Sequence, residues 1–89
     1  MSGVDPTIEA LRARISANDR ALIERVNERL RLVAEMKAYK TSRGIDFLDP
    51  ERERQMFEDL QRTNAGPLSE QGLMAFFAAL LALTKDELD

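Results

Sequence analysis

From Ile8 onwards, apolar residues return every three or four positions: Ile8, Leu11, Ile15, Leu22, Val26, Val33 and Met36. That spacing is the stripe of an amphipathic helix, not of a strand. Asn18, Arg29 and Lys40 fall on the same stripe and interrupt it. Asp5-Pro6 is a helix start signal, because the carboxylate accepts from free N–H groups and proline suits the first helical position. Before it, Met1 to Val4 read as a frayed end. No breaker follows until Gly44, which reads as a C-terminal cap after Ser42-Arg43, so the pattern predicts a helix over about 6–43. Ile45 to Leu48 form a short link. Asp49-Pro50 repeats the start signal and opens a second helix, about 50–63, with Glu53, Met56, Phe57 and Leu60 on its stripe. Asn64-Ala65-Gly66-Pro67 is a stop and turn. Ser69 caps a third helix, about 70–88, whose inward positions are Leu73, Phe76, Phe77, Leu80, Leu81, Thr84 and Leu88. The fold class is all-α: three helices, one very long and two shorter.

Length sets the next constraint. A helix of nearly forty residues spans roughly 55–60 Å at about 1.5 Å per residue. A compact monomer of 89 residues has a radius of gyration of only about 12 Å. The chain cannot cover its own first helix, so the expected assembly is an intertwined, two-fold homodimeric bundle.

Composition removes whole classes of function. Apolar residues are 44% and charged residues 33%, the balance of a soluble helical protein, and 89 residues make one small domain. The net charge of −3 argues against nucleic acid as the main partner. No cysteine and no histidine occur. Disulfides, thiolate nucleophiles, Ser-His-Asp arrangements and the common zinc and haem ligands go with them. Any chemistry uses Arg, Lys, Asp, Glu and hydroxyls, without a cofactor or metal. No apolar run approaches the roughly 20 residues that a bilayer needs, and no secretory signal is visible. Lys85-Asp86-Glu87-Leu88 resembles a retention tetrapeptide only by coincidence, since Asp89 follows it. The expected location is cytoplasmic.

Four polar groups nevertheless sit on helix faces that should be apolar: Arg29, Lys40, Glu53 and Thr84. Arg29 and Lys40 are eleven residues apart, sharing a face about 16 Å apart along the axis. Two long cationic side chains leaning together across that gap suit a small dianion. Arg52 adds a cation at the start of the second helix, whose free N–H groups also favour an anion. Two plainer readings stand beside this one. Charges beside a stripe are commonly solvated or paired at its edge, and charges at core positions of a helical dimer can fix register without any ligand. A threonine such as Thr84 often bonds its own helix backbone.

Leu11-Arg12, Ile15, Asp19, Leu22, Arg29, Leu30, Val33 and Lys40, followed by Asp49-Pro50-Glu51-Arg52-Glu53 as a D-x-x-R-E segment, resemble the all-helical type II (AroQ class) chorismate mutases. The resemblance covers nearly the whole chain. It implies a Claisen rearrangement of chorismate to prephenate in Phe/Tyr biosynthesis, a pericyclic step suited to a chain without nucleophile or metal. The protein needs only to hold the substrate folded and stabilise charge on the breaking ether oxygen. By the same resemblance Arg29 binds a carboxylate, and Lys40 contacts a carboxylate and the ether oxygen. Glu53, with the Asp49 backbone, holds the ring hydroxyl. Arg52 assists carboxylate binding and Thr84 stands near the ring carboxylate. Arg12 resembles the arginine that family members supply from the other subunit. On a straight helix it lies roughly 25 Å from Arg29 and about 42 Å from Lys40, so it reaches a pocket only in an antiparallel partner.

At one position the chain departs from the family. Four residues after Thr84, where members usually carry a glutamine or glutamate on the ether oxygen, stands Leu88, with Glu87 adjacent. One such transition-state hydrogen bond is worth about 2.7–4 kcal/mol. The resemblance therefore also brings in a partner, the synthase of the first aromatic-pathway intermediate, which activates some short members. Alternatives are a sister activity on 4-amino-4-deoxychorismate, pyruvate elimination from isochorismate, or a non-catalytic dimerisation or regulatory module.

Overall fold

In the computed structural model, which describes Gly3 and residues 5–89, the chain forms α1 (Pro6–Ser42), α2 (Pro50–Thr63) and α3 (Glu70–Leu88). No strand occurs among the described residues. The end expected to fray over Met1 to Val4 lies, Gly3 apart, outside them. Each helix starts on a side-chain cap. The Asp5 carboxylate accepts from the N–H groups of Thr7 at 2.8 Å and Ile8 at 3.4 Å. Asp49 accepts from the Arg52 N–H at 3.0 Å, and the Ser69 hydroxyl from the Gly72 N–H at 3.0 Å. Caps of this kind stabilise a helix by about 1 kcal/mol each.

α1 ends in a Schellman motif. Ile45 N–H donates to the Lys40 carbonyl at 2.8 Å and Gly44 N–H to the Thr41 carbonyl at 3.2 Å, with Gly44 at φ +68°. Only glycine adopts that left-handed conformation without a steric cost. After α2, Asn64 ties the turn: its side chain accepts from Gly66 N–H at 3.1 Å and donates to the Leu68 carbonyl at 2.9 Å. The Gly66–Pro67 peptide is cis.

The chain divides into two compact units, residues 1–33 and 34–89. The first is the N-terminal part of α1. None of its described side chains is fully buried, and Ile8, Leu11, Ile15, Leu22 and Ile23 stand exposed along it. The second holds the end of α1 with α2 and α3. Its centre is Leu73 and Phe77, each 6% exposed, with Phe57 stacked on Phe77 at 5.7 Å between ring centroids. Met56, Leu60, Leu80, Leu81 and Leu88 are half-buried in the same unit.

Two inward assignments are corrected. Phe76 is 48% exposed, because α3 is apolar nearly all round and its sequence does not say which stripe meets α2. Glu53 is exposed although it heads the stripe of Met56, Phe57 and Leu60. It stands in the first turn of α2, and an unpaired carboxylate keeps its water.

Candidate active site

The C-terminal unit brings six of the eight flagged residues into one compact body: Lys40, Asp49, Arg52, Glu53, Thr84 and Glu87. Lys40 sits two residues before the end of α1, where the Schellman bond fixes its carbonyl. Its side chain is half-buried and its ammonium lies 5.9 Å from the centre of the Phe47 ring. Among the described residues it forms no ion pair. Asp49 uses its carboxylate to cap α2, and its carbonyl accepts from Glu53 N–H at 3.1 Å. Arg52 and Glu53, in the first turn of α2, likewise make no ion pair there.

Their neighbours behave differently. Arg54 hydrogen-bonds Glu51 and reaches Glu58 at 2.7 Å. The guanidinium holds the Glu51 carboxyl below its ordinary range and is itself raised, chiefly by Glu51 and then by Glu58. Arg62 pairs with Asp59 at 3.6 Å. So α2 carries two kinds of charge: an outer set satisfied along its own helix, and Arg52 and Glu53 at its start, left to water. Exposed pairs of the first kind contribute little. The second kind is what an incoming polar ligand can use.

Thr84 is 8% exposed, the buried polar residue of α3, and its hydroxyl donates to the Leu80 carbonyl at 2.7 Å. That bond satisfies the hydroxyl proton within the helix. Glu87 is exposed and Leu88 half-buried, so the leucine turns towards the unit's interior and the carboxylate towards water. Arg29, half-buried, and Arg12, exposed and 3.5 Å from Glu9, belong to the first unit. No group of three or more acidic side chains among the described residues is placed to hold a metal.

Lys37 and Phe47 were not legible as site residues. Lys37 donates to the Leu88 carbonyl at 2.8 Å, reaches the Asp89 carboxylate at 3.7 Å, and lies 5.6 Å from the centre of the same Phe47 ring that Lys40 overlies. Its position three before Lys40 puts both on one helix face, the one signal that could have found it.

Residues 11–87 match the family described as chorismate mutase type II. The chain belongs to the type II chorismate mutase family. It is similar in structure to a chorismate mutase from Thermus thermophilus, known in two forms. Form I superposes with a TM-score of 0.84 at 29% identity, covering 88% of this chain and 98% of that one. Form II superposes with a TM-score of 0.85 at 30% identity, covering 90% and 91%. No curated protein matches it significantly. For a type II mutase the all-α, three-helix architecture is the one the family requires, and no helix of the described residues is long and apolar enough to cross a membrane.

Proposed function

We infer that the chain is an isomerase that converts chorismate to prephenate in aromatic amino-acid biosynthesis, using Lys40 and Arg29 as its main electrostatic groups. The observation that carries the site assignment is that Lys40, Arg52 and Glu53 lack ion-pair partners among the described residues while the other charges of α2 have them. Leaving a cation half-buried without an anion costs stability, and a dicarboxylate substrate removes that cost when it binds. Lys40 is aimed at the ether oxygen, where negative charge grows as the C–O bond breaks. A pre-set ammonium stabilises that charge more than the ground state. Arg29 and Arg52 hold carboxylates, Glu53 and the Asp49 backbone hold the ring hydroxyl, and Thr84 stands near the ring carboxylate.

The working form is a homodimer in which Arg12 enters the partner's pocket. The support is the surface of the single chain, whose first unit has no fully buried side chain among the described residues and exposes the stripe Ile8, Leu11, Ile15 and Leu22. Exposed apolar patches of that extent mark interfaces. At the end of α3, Leu88 supplies no hydrogen bond to the ether oxygen. Glu87 or an aromatic-pathway synthase bound to the dimer completes the site. A cysteine-free chain suits the reducing cytoplasm in which this reading places it.

The test is chorismate disappearance on purified protein with the product identified, alone and with the pathway synthase. Prephenate formation supports the reading. Pyruvate release, or turnover of only the 4-amino substrate, replaces it with a sister activity, and no turnover under either condition leaves a dimerisation module.

A further inference from the structure

The last turn of α1 and the end of α3 keep their Cα atoms more than 8 Å apart, a gap that a long side chain can span. Lys37 does. Its ammonium donates to the Leu88 carbonyl at 2.8 Å and lies 3.7 Å from the Asp89 carboxylate. Leu88 is the last residue of α3, and its carbonyl is one of the four that a helix C-terminus leaves without an intrahelical donor. A cation there also meets the negative end of the helix dipole. Lys37 is half-buried, with 35% of its side chain exposed, so the contact is screened less than an ordinary surface pair.

The same ammonium stands beside Phe47, 5.6 Å from the ring centre, with Lys40 at 5.9 Å. Two ammonium groups on one ring repel each other unless one of them has its own anion. Lys37 has the α3 carbonyl and Asp89; Lys40 has none among the described residues. The pair is therefore asymmetric: one cation is tied to the fold and the other is left without an anion among the described residues.

We propose that Lys37 is a positioning residue, a clasp that fixes the last turn of α3, with Thr84 and Glu87 on it, against the end of α1 that presents Lys40. It rests on the mutase reading for its functional part and on geometry for the rest.

The experiment combines amide hydrogen exchange with chorismate kinetics on the full chain. In Lys37→Ala the amides of Glu87, Leu88 and Asp89 exchange about tenfold faster, the loss of one hydrogen bond to a charged group, while amides of α2 keep their protection. In the same variant kcat/KM falls about tenfold, and Lys37→Arg, which keeps the charge and the reach, recovers most of both. Lys37→Met keeps the packing on Phe47 and behaves like the alanine variant. Unchanged exchange at 87–89 overturns the clasp. Lost activity with unchanged exchange overturns it in favour of direct substrate contact, and faster exchange with full activity shows a clasp that positions nothing. If the unaltered protein forms no prephenate, the mutase reading fails while the exchange arm still decides the geometry.

Discussion

Replacing Lys40 separates catalysis from folding more cleanly than any other single change in the chain. In the folded protein its ammonium makes no ion pair among the described residues and touches the fold through the Phe47 ring at 5.9 Å. A cation–π contact at a partly exposed site is worth about 0.5–1 kcal/mol, and removing a half-buried unpaired charge returns part of that. Lys40→Met, which keeps the aliphatic packing, should therefore change stability by less than about 1 kcal/mol, a shift of roughly 4–8 °C or less in Tm for a domain this size. Catalysis should respond on another scale. A single pre-set group on a developing oxyanion is worth about 2.7–4 kcal/mol, or roughly 10²–10³ in kcat, and a full charge is at the upper end. The assay is a thermal melt followed by circular dichroism beside chorismate disappearance with product identification. A variant that keeps more than about a tenth of wild-type kcat/KM refutes the electrostatic role. One whose activity falls only in step with its unfolding does the same.

Subunit complementation tests the shared site: mixing Arg12→Ala with Lys40→Ala protein under exchange conditions should restore about a quarter of wild-type activity, since half the dimers then carry one intact site of two. Neither parent should exceed background, and a mixture as inactive as its parents argues that each site is built from one chain. Gly44→Ala meets nothing within 4 Å but must hold φ +68°, so it should cost about 1–2 kcal/mol of backbone strain alone, read as a lowered urea midpoint at unchanged m-value. The Glu51–Arg54 pair gives a pH signature. Because the hydrogen bond from Arg54 holds the folded Glu51 carboxyl below its unfolded value of 4.5, its contribution is present above that pH and lost as pH falls through the lowered value. In Glu51→Gln the acid limb of the Tm profile should be shallower, and an identical limb in both proteins would remove the pair from the account.

The helix ends were readable from sequence because caps are local. Asp5-Pro6, Asp49-Pro50, Ser69 and Gly44 each act on residues within five positions. Facing is harder. α2 has one apolar stripe and shows it, whereas α3, with alanine or leucine on most sides, gave no way to tell Phe77, buried, from Phe76, exposed. The charged site split along the same line. Lys40 and Arg52 stand out as cations at a helix end and a helix start, which short-range pattern reveals. Lys37 does not, because its partner is a backbone carbonyl 51 residues away, and carbonyls leave no mark in a sequence. Glu53 stood on a stripe by count and in water by position, since periodicity cannot say where along its length a helix is covered.

The near-absence of a private core has a consequence for handling the protein. Leu73 and Phe77 are the buried hydrophobic residues of the described chain, too few to offset the entropy of ordering three helices. In the proposed dimer the remaining order comes from association, and mass action governs it. Dilution should act as a denaturant: helix content and turnover should fall together as the enzyme is diluted, and the melting temperature should rise with the logarithm of protein concentration. For such an enzyme, how much of it a cell makes is itself a term in its stability.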